Sequence, residues 1–302
     1  MELRTLRYAL EVARQASFTG AARALHIAQP SLSQQIARLE EELGMPLFYR
    51  RASGVEPTPD GRRFLEQAER IVRLEEDLVR EMRERREGIG PELVVGAPAI
   101  TGEHVLPPVL GRFQSLYPRT RVRLVEDSPH ALEALTARGL TDLSILPLPV
   151  EDTRLAIRPL FTEPILLALP PQPAAWIPAG ILPPAGSRVG LAAVAGAPFI
   201  LLKPGYGFRQ TVLELCAAAG FQPRVVYETS SIEMAQSLVA HGLGVTLVPA
   251  MVRRRGSGTR PHYRRLQELP TRTLALVWAR DRYLSLAARA FLQLLPQAGA
   301  TG

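Results

Sequence analysis

Residues 17–40 constrain this chain more than any other stretch. Ser17-Phe18-Thr19-Gly20 can start a short helix, and Ala21-Ala22 lets that helix lie close against a neighbour. After a break near His26, Pro30 suits the first turn of a second helix, where its missing N–H costs nothing. Leu25, Ile27, Leu32, Ile36 and Leu39 supply the apolar contacts between the two. The second helix also carries Gln29, Ser31, Ser33, Gln34, Gln35 and Arg38, hydrogen-bonding side chains of the kind that reach base edges and phosphates. Two short helices with a tight break and a polar outer face are the layout of a helix-turn-helix, whose second helix enters the DNA major groove.

The flanking residues extend the pattern. Leu3, Leu6, Leu10 and Val12 predict an amphipathic helix ahead of it. Behind it come Leu39-Glu40-x-x-Leu43-Gly44, Leu47-Phe48-x-Arg50 and Thr58-Pro59-x-Gly61. With Ser17-Phe18-Thr19, Ala21-Ala22 and Gln29-Pro30-x-x-Ser33-x-x-Ile36, these segments closely resemble the winged helix-turn-helix of LysR-type transcriptional regulators. One position departs from that pattern: Ala28 stands where the family usually has Ser or Thr before Gln-Pro, which removes one phosphate contact. The resemblance implies that Thr19, Gln29, Pro30, Ser31, Ser33, Gln34 and Arg38 face DNA, with Arg50 and Arg51 on the wing. For the two wing arginines a surface ion pair with Glu56 or Glu41 is the competing reading.

Thr58-Pro59-Asp60 is a helix start, with Thr as N-cap, Pro at N1 and an acid at the positive end of the dipole. Phe64, Leu65, Ala68, Ile71, Val72, Leu74, Leu78, Val79 and Met82 then recur at heptad-like spacing up to about Glu87. One apolar stripe on a long helix needs a partner, so this helix is expected to join two copies of the chain. Gly88-Ile89-Gly90-Pro91 reads as a hinge.

Beyond the hinge, strands and helices alternate in βαβ fashion, which predicts two α/β lobes built on a mostly parallel sheet. The expected helices include 105–117, 131–138, 208–219, 231–241 and 284–295, with the chain crossing between lobes near 160–162 and 266–269. Leu106-Pro107-Pro108-Val109-Leu110, Gly139-x-x-Asp142-Leu143 and Val239-x-x-Gly242-x-Gly244-Val245-x-x-x-Pro249 resemble segments of the family's effector-binding domain, itself similar to periplasmic binding proteins. The expected organisation is therefore a DNA-binding domain over 1–58, a dimerisation helix over 59–87, one lobe from 92–161 with 270–302, and a second lobe from 162–269. The family assembles as dimers and dimers of dimers.

Ligands in such sheets sit beyond the carboxyl ends of strands, between lobes. Ala99, Ile100 and Thr101 follow the first strand of this half and Ser128 the second. Lys203, Gly207, Phe208 and Arg209 lie where a strand of the second lobe runs into a helix, with Thr229 and Ser230 one unit later. Hydroxyls, backbone N–H groups and one or two cations predict a small, anionic effector. For each residue the plain alternatives are a turn at Gly207, a cap at Ser230 and a solvated Arg209.

A net charge of +7 suits a polyanion-binding protein, although the excess sits as much in Arg253-Arg254-Arg255 as in the helix-turn-helix. Lys203 is the only lysine, so the arginines reflect coding bias as well as function. Cys216 is the only cysteine, which excludes an internal disulfide and fits a reducing cytoplasm. The peroxide-sensing branch of the resembled family uses a cysteine pair, which this chain cannot supply. The five histidines show no metal-ligand spacing, and neither a phosphate-binding loop nor a Gly-x-Ser-x-Gly nucleophile appears. No cofactor, metal or membrane anchor is expected. A transport-type binding protein and an α/β enzyme with a DNA-binding module are the alternatives to a regulator. The helix-turn-helix argues against the first, and the missing catalytic set against the second.

Overall fold

The computed structural model describes residues 1–51, 54–172, 176, 188–254 and 258–295. Arg255, Gly256 and Ser257 lie outside the described residues. The chain divides into two compact units, 1–88 and 89–302.

The first unit is built from α1 (Leu3–Gln15), α2 (Phe18–Ala24), α3 (Gln29–Leu43), a two-stranded wing of β1 (Phe48–Arg51) and β2 (Gly54–Pro57), and the long α4 (Pro59–Glu87). Ser17 caps α2, its hydroxyl accepting from Gly20 N at 3.1 Å. Ala21 and Ala22 are buried, as are Leu32, Ile36 and Leu39 from the inner face of α3 and Leu47 and Phe48 at the wing's start. The family-type residues around the wing are its fasteners. Glu40 reaches from α3 to accept from the backbone N–H of Leu47 and Phe48 at 2.7 and 3.1 Å. Thr58 donates to Pro46 O and accepts from Gly61 N, both at 2.8 Å. Gly61 is required there, since a Cβ would stand 2.0 Å from Leu47 O. The foot of α4 packs on α1 through Leu6, Ala68 and Val72.

The second unit is two-lobed. The first lobe holds β3 (Glu92–Gly96), α5 (Ala99–Leu116), β4 (Arg121–Val125), α6 (Pro129–Ala137), β5 (Leu143–Pro147) and, from the chain's end, β11 (Thr271–Ala279) and α9 (Leu286–Leu294). Asp142 fixes the start of β5 by accepting from Val94 N at 2.8 Å. The second lobe holds β7 (Pro198–Leu202), α7 (Gly207–Ala218), β8 (Arg224–Thr229), α8 (Ile232–Ala240), β9 (Thr246–Pro249) and β10 (His262–Arg265). β6 (Leu155–Leu169) belongs to both. Its first part pairs with β11, and its last residues pair with β9 and β10.

Three differences from the sequence reading matter. The main sheet is mixed: β3 is parallel to β4 and β5, but β6 runs antiparallel to β9, β10 and β11, and β11 antiparallel to β5; β7 and β8 form a separate parallel pair. Two strands that carry the chain out of a lobe and back must oppose each other. The crossing expected near 160–162 lies inside a single 15-residue strand, β6, which tolerates Pro159 because it sits at a bulge where the register shifts between Leu274 and Ala275. The helix expected from Val105 begins at Ala99 instead. Ile100, Thr101 and Gly102 are poor helix formers, and tertiary packing overrides them.

Candidate functional site

In the first unit the two faces of α3 separate cleanly. Leu32, Ile36 and Leu39 point into the core, whereas Ser31, Gln34 and Arg38 are exposed and Gln29, Ser33 and Gln35 half-exposed. Residues 31, 34, 35 and 38 recur at the helical period, so they form one outward stripe. Thr19 on α2 and Pro30 are exposed as well. Ala28 is the N-cap of α3 and makes no side-chain cap bond, the consequence of the departure noted above. On the wing, the Arg50 guanidinium lies 4.5 Å from the Phe18 ring centroid. Arg51 is 3.7 Å from Glu56, with both side chains more than half exposed. Such a pair contributes little to stability and yields readily to a phosphate.

In the second unit a cavity of about 720 Å³ opens where the lobes meet. Residues 98–101 at the start of α5 line one side, and Tyr206, Gly207, Phe208 and Thr211 at the start of α7 line the other. Pro129, the run Pro147-Leu148-Pro149-Val150, and Ile157 make its apolar wall, and Thr271, Arg272 and Thr273 its floor. That floor is where the long strands exchange lobes, since Arg272 pairs in register with Glu163, and Thr273 with Thr162.

Of the expected effector residues, the structure brings Ala99, Ile100, Thr101, Gly207 and Phe208 to this cavity. Ser128 and Arg209 line a shallower neighbouring pocket with Gly205 and Gln210, and Lys203, Thr229 and Ser230 line neither. Thr101, Ser128, Thr229 and Ser230, each expected beside the ligand, therefore do not share one cavity, for physical reasons. The Ser128 hydroxyl caps α6 by accepting from Ala131 N at 3.2 Å. The Arg209 guanidinium turns back to Leu202 O and Glu228, at 2.5 and 2.6 Å. Thr229 accepts from Ser231 N, and Ser231, not Ser230, caps α8. The Lys203 side chain is exposed, while its N–H donates to Thr229 O.

The feature missed from sequence is the cavity floor. Arg272 and Glu163, with side chains 9% and 7% exposed, form an ion pair at 2.8 Å. The second Glu163 oxygen accepts from Met251 N at 2.6 Å, and the guanidinium lies 5.6 Å from the Phe208 ring centroid. Burial pulls the Arg272 guanidinium down from its usual range, and the facing Glu163 carboxylate opposes that pull. The signal in the sequence was an acid at the edge of the apolar run 164–169 in β6 and a base just before the apolar run 274–279 in β11, which pair only through strand register.

A winged helix-turn-helix followed by a long helix and a two-lobed α/β domain with a cavity between its lobes defines a one-component regulator. The model for bacterial regulatory helix-turn-helix proteins of the lysR family matches residues 3–62, and that for the LysR substrate binding domain matches residues 86–300. The chain belongs to the LysR family of transcriptional regulators, which are not enzymes. It is 50% identical to the uncharacterized HTH-type transcriptional regulator YcgK of Bacillus subtilis, over 97% of this chain and 94% of that one. It is 30% identical to the DNA-binding transcriptional dual regulator OxyR of Escherichia coli, over 95% and 94%. A full-length OxyR variant from Pseudomonas aeruginosa superposes with a TM-score of 0.68 at 28% identity, covering 97% of this chain and 93% of that structure.

Proposed function

We propose that this chain binds operator half-sites through α3 and its wing, and that a small monoanionic metabolite with an apolar body, held between the lobes, modulates that binding or its output. The observation that carries the ligand class is a pairing of helix ends. The N-termini of α5 and α7 both line the cavity, and neither has a side-chain cap. By contrast α6, α8 and α9 are each capped by a serine hydroxyl. An uncapped first turn leaves N–H donors and the positive end of the dipole for a ligand's anionic group. Thr101 adds its place in the wall, and the prolines, Leu148, Val150 and Ile157 suit an apolar body. Arg272 brings no net charge, because Glu163 neutralises it. Glu214 on the rim adds a negative charge, which disfavours multiply charged anions.

A peroxide response, suggested by the likeness to OxyR, lacks support in the one thiol available. Cys216 is wholly buried in α7, and burial pushes its thiol up to about 11. That leaves on the order of one thiolate in 10⁴ at pH 7.

The same reading assigns 1–58 to DNA, 59–87 to dimerisation, and 92–161 with 270–302 and 162–269 to the two lobes. Ile71, Leu74, Leu78, Val79 and Met82 of α4 are 42–59% exposed within one chain. A second copy would cover them, giving a dimer and then a dimer of dimers. No helix among the described residues is long and apolar enough to cross a membrane. The protein acts where the chromosome is, in the cytoplasm. The test is a thermal-shift screen of the full chain against small carboxylates and matched amines. A carboxylate should raise Tm by an amount set by concentration over Kd, and Thr101→Val should weaken that rise without changing DNA affinity of the unliganded protein. Stabilisation by amines alone overturns the reading.

A further inference from the structure

We propose that Glu103, His104 and Glu233 form a site for one divalent transition-metal ion that ties the two lobes together. Each of the three offers a ligand atom, and these atoms lie within 4.8 Å of one another. Rotation of the glutamate side chains closes that span to the roughly 3.4 Å between ligands on a tetrahedral ion with bonds near 2.1 Å.

Two details point to a cation. His104 Nδ1 faces the backbone oxygen of Ile100 at 3.1 Å, so it must donate there. The neutral ring then keeps its Nε2 lone pair as an acceptor, the orientation in which imidazoles bind metals. Glu233 is the second. One of its carboxylate oxygens accepts from the Ser231 hydroxyl at 3.0 Å. The other is buried and has no hydrogen-bond partner among the described residues. A desolvated, unpartnered carboxylate oxygen is costly, and a bound cation removes that cost. Two carboxylates and a neutral imidazole also balance a charge of +2. One nitrogen with two oxygens suits a borderline ion such as Zn²⁺, whereas Mg²⁺ and Ca²⁺ prefer oxygen sets.

The location gives the site a consequence. Glu103 and His104 sit on α5, whose later turns pack into the first lobe's core through Val105, Leu106 and Val109. Glu233 sits on α8, whose Ile232, Ala235 and Val239 pack into the second lobe's core. A bound ion would therefore cross-link the lobes one turn from Ile100 and Thr101 in the cavity wall. It would bias their relative setting independently of any organic ligand.

The test uses the full-length chain, stripped with chelator and dialysed, and titrated calorimetrically with ZnCl₂ and with MgCl₂. One Zn²⁺ per chain should bind, with no matching Mg²⁺ isotherm. His104→Ala and Glu233→Gln should each weaken Kd by more than about tenfold, as should Glu103→Gln, whose exposed side chain carries no folding role. His130→Ala, outside the cluster, should bind as the parent does. Co²⁺ should give visible ligand-field bands that His104→Ala abolishes. The absence of a saturable one-per-chain site, equal Mg²⁺ binding, or full affinity in Glu103→Gln and His104→Ala overturns the proposal.

Discussion

Arg272→Met probes the link between the lobes. The Arg272–Glu163 pair is nine-tenths buried on both sides, and its 2.8 Å contact is a charge-assisted hydrogen bond. At an effective dielectric of about 20, the Coulomb attraction at that distance is roughly 6 kcal/mol, and desolvation of both ions offsets most of it. Methionine keeps the volume of the stem but strands Glu163, which retains only the Met251 N–H. The expected loss is about 3–5 kcal/mol, because an uncompensated buried charge remains. Removing both charges in Arg272→Met with Glu163→Leu should restore most of it. Both tryptophans, Trp176 and Trp278, belong to the second unit, so urea unfolding followed by their fluorescence isolates the relevant transition. A loss below about 1 kcal/mol in the single variant would refute the argument that the pair is a desolvated unit. So would a double variant as unstable as the sum of the two singles.

Gln34→Ala should lower specific operator affinity by about 1–3 kcal/mol and leave low-salt nonspecific binding nearly unchanged, since phosphate neutralisation sets the latter. Anisotropy titrations at two salt concentrations read both, and a parallel fall would remove α3 from the base-reading role. Leu78→Asp should convert the assembly to smaller species in analytical ultracentrifugation, because a carboxylate in the seam of α4 would be buried unpaired. An unchanged sedimentation coefficient would place the interface elsewhere. The Cys216 thiol should resist a disulfide reagent in the native protein and react fully in urea, given its burial and its pKa near 11. Rapid native labelling would reopen thiol chemistry.

The DNA-binding unit was readable because its information is local. Ser17, Ala21-Ala22, Pro30 and Thr58 each act within a few residues of their place in the chain, as caps, close contacts and helix starts. The cavity was half readable. Residues 99–101 and 207–208 follow strand ends, a local cue, and they reach it. Ser128, Arg209, Thr229 and Ser230 carry the same cue. Whether a hydroxyl faces a ligand or closes its own helix is decided by one residue of register, as the cap at Ser231 rather than Ser230 shows. The floor at Glu163 and Arg272, and the meeting of His104 with Glu233, depend on pairings between distant segments. No periodicity or spacing along the chain encodes them.

An anion-selective effector site in the cavity between the lobes is the proposal on which the rest depends. Thr211→Trp projects a large ring into the cavity from α7 and leaves every charged residue of its lining in place. The decisive measurement is a thermal-shift titration of the parent and this variant with the best-stabilising carboxylate from the screen. The parent should show a saturable rise in Tm, set by a stabilisation of RT ln(1 + [L]/Kd), and Thr211→Trp should lose it. An equal rise in both proteins would contradict it, because the ligand would then be bound somewhere other than this cavity.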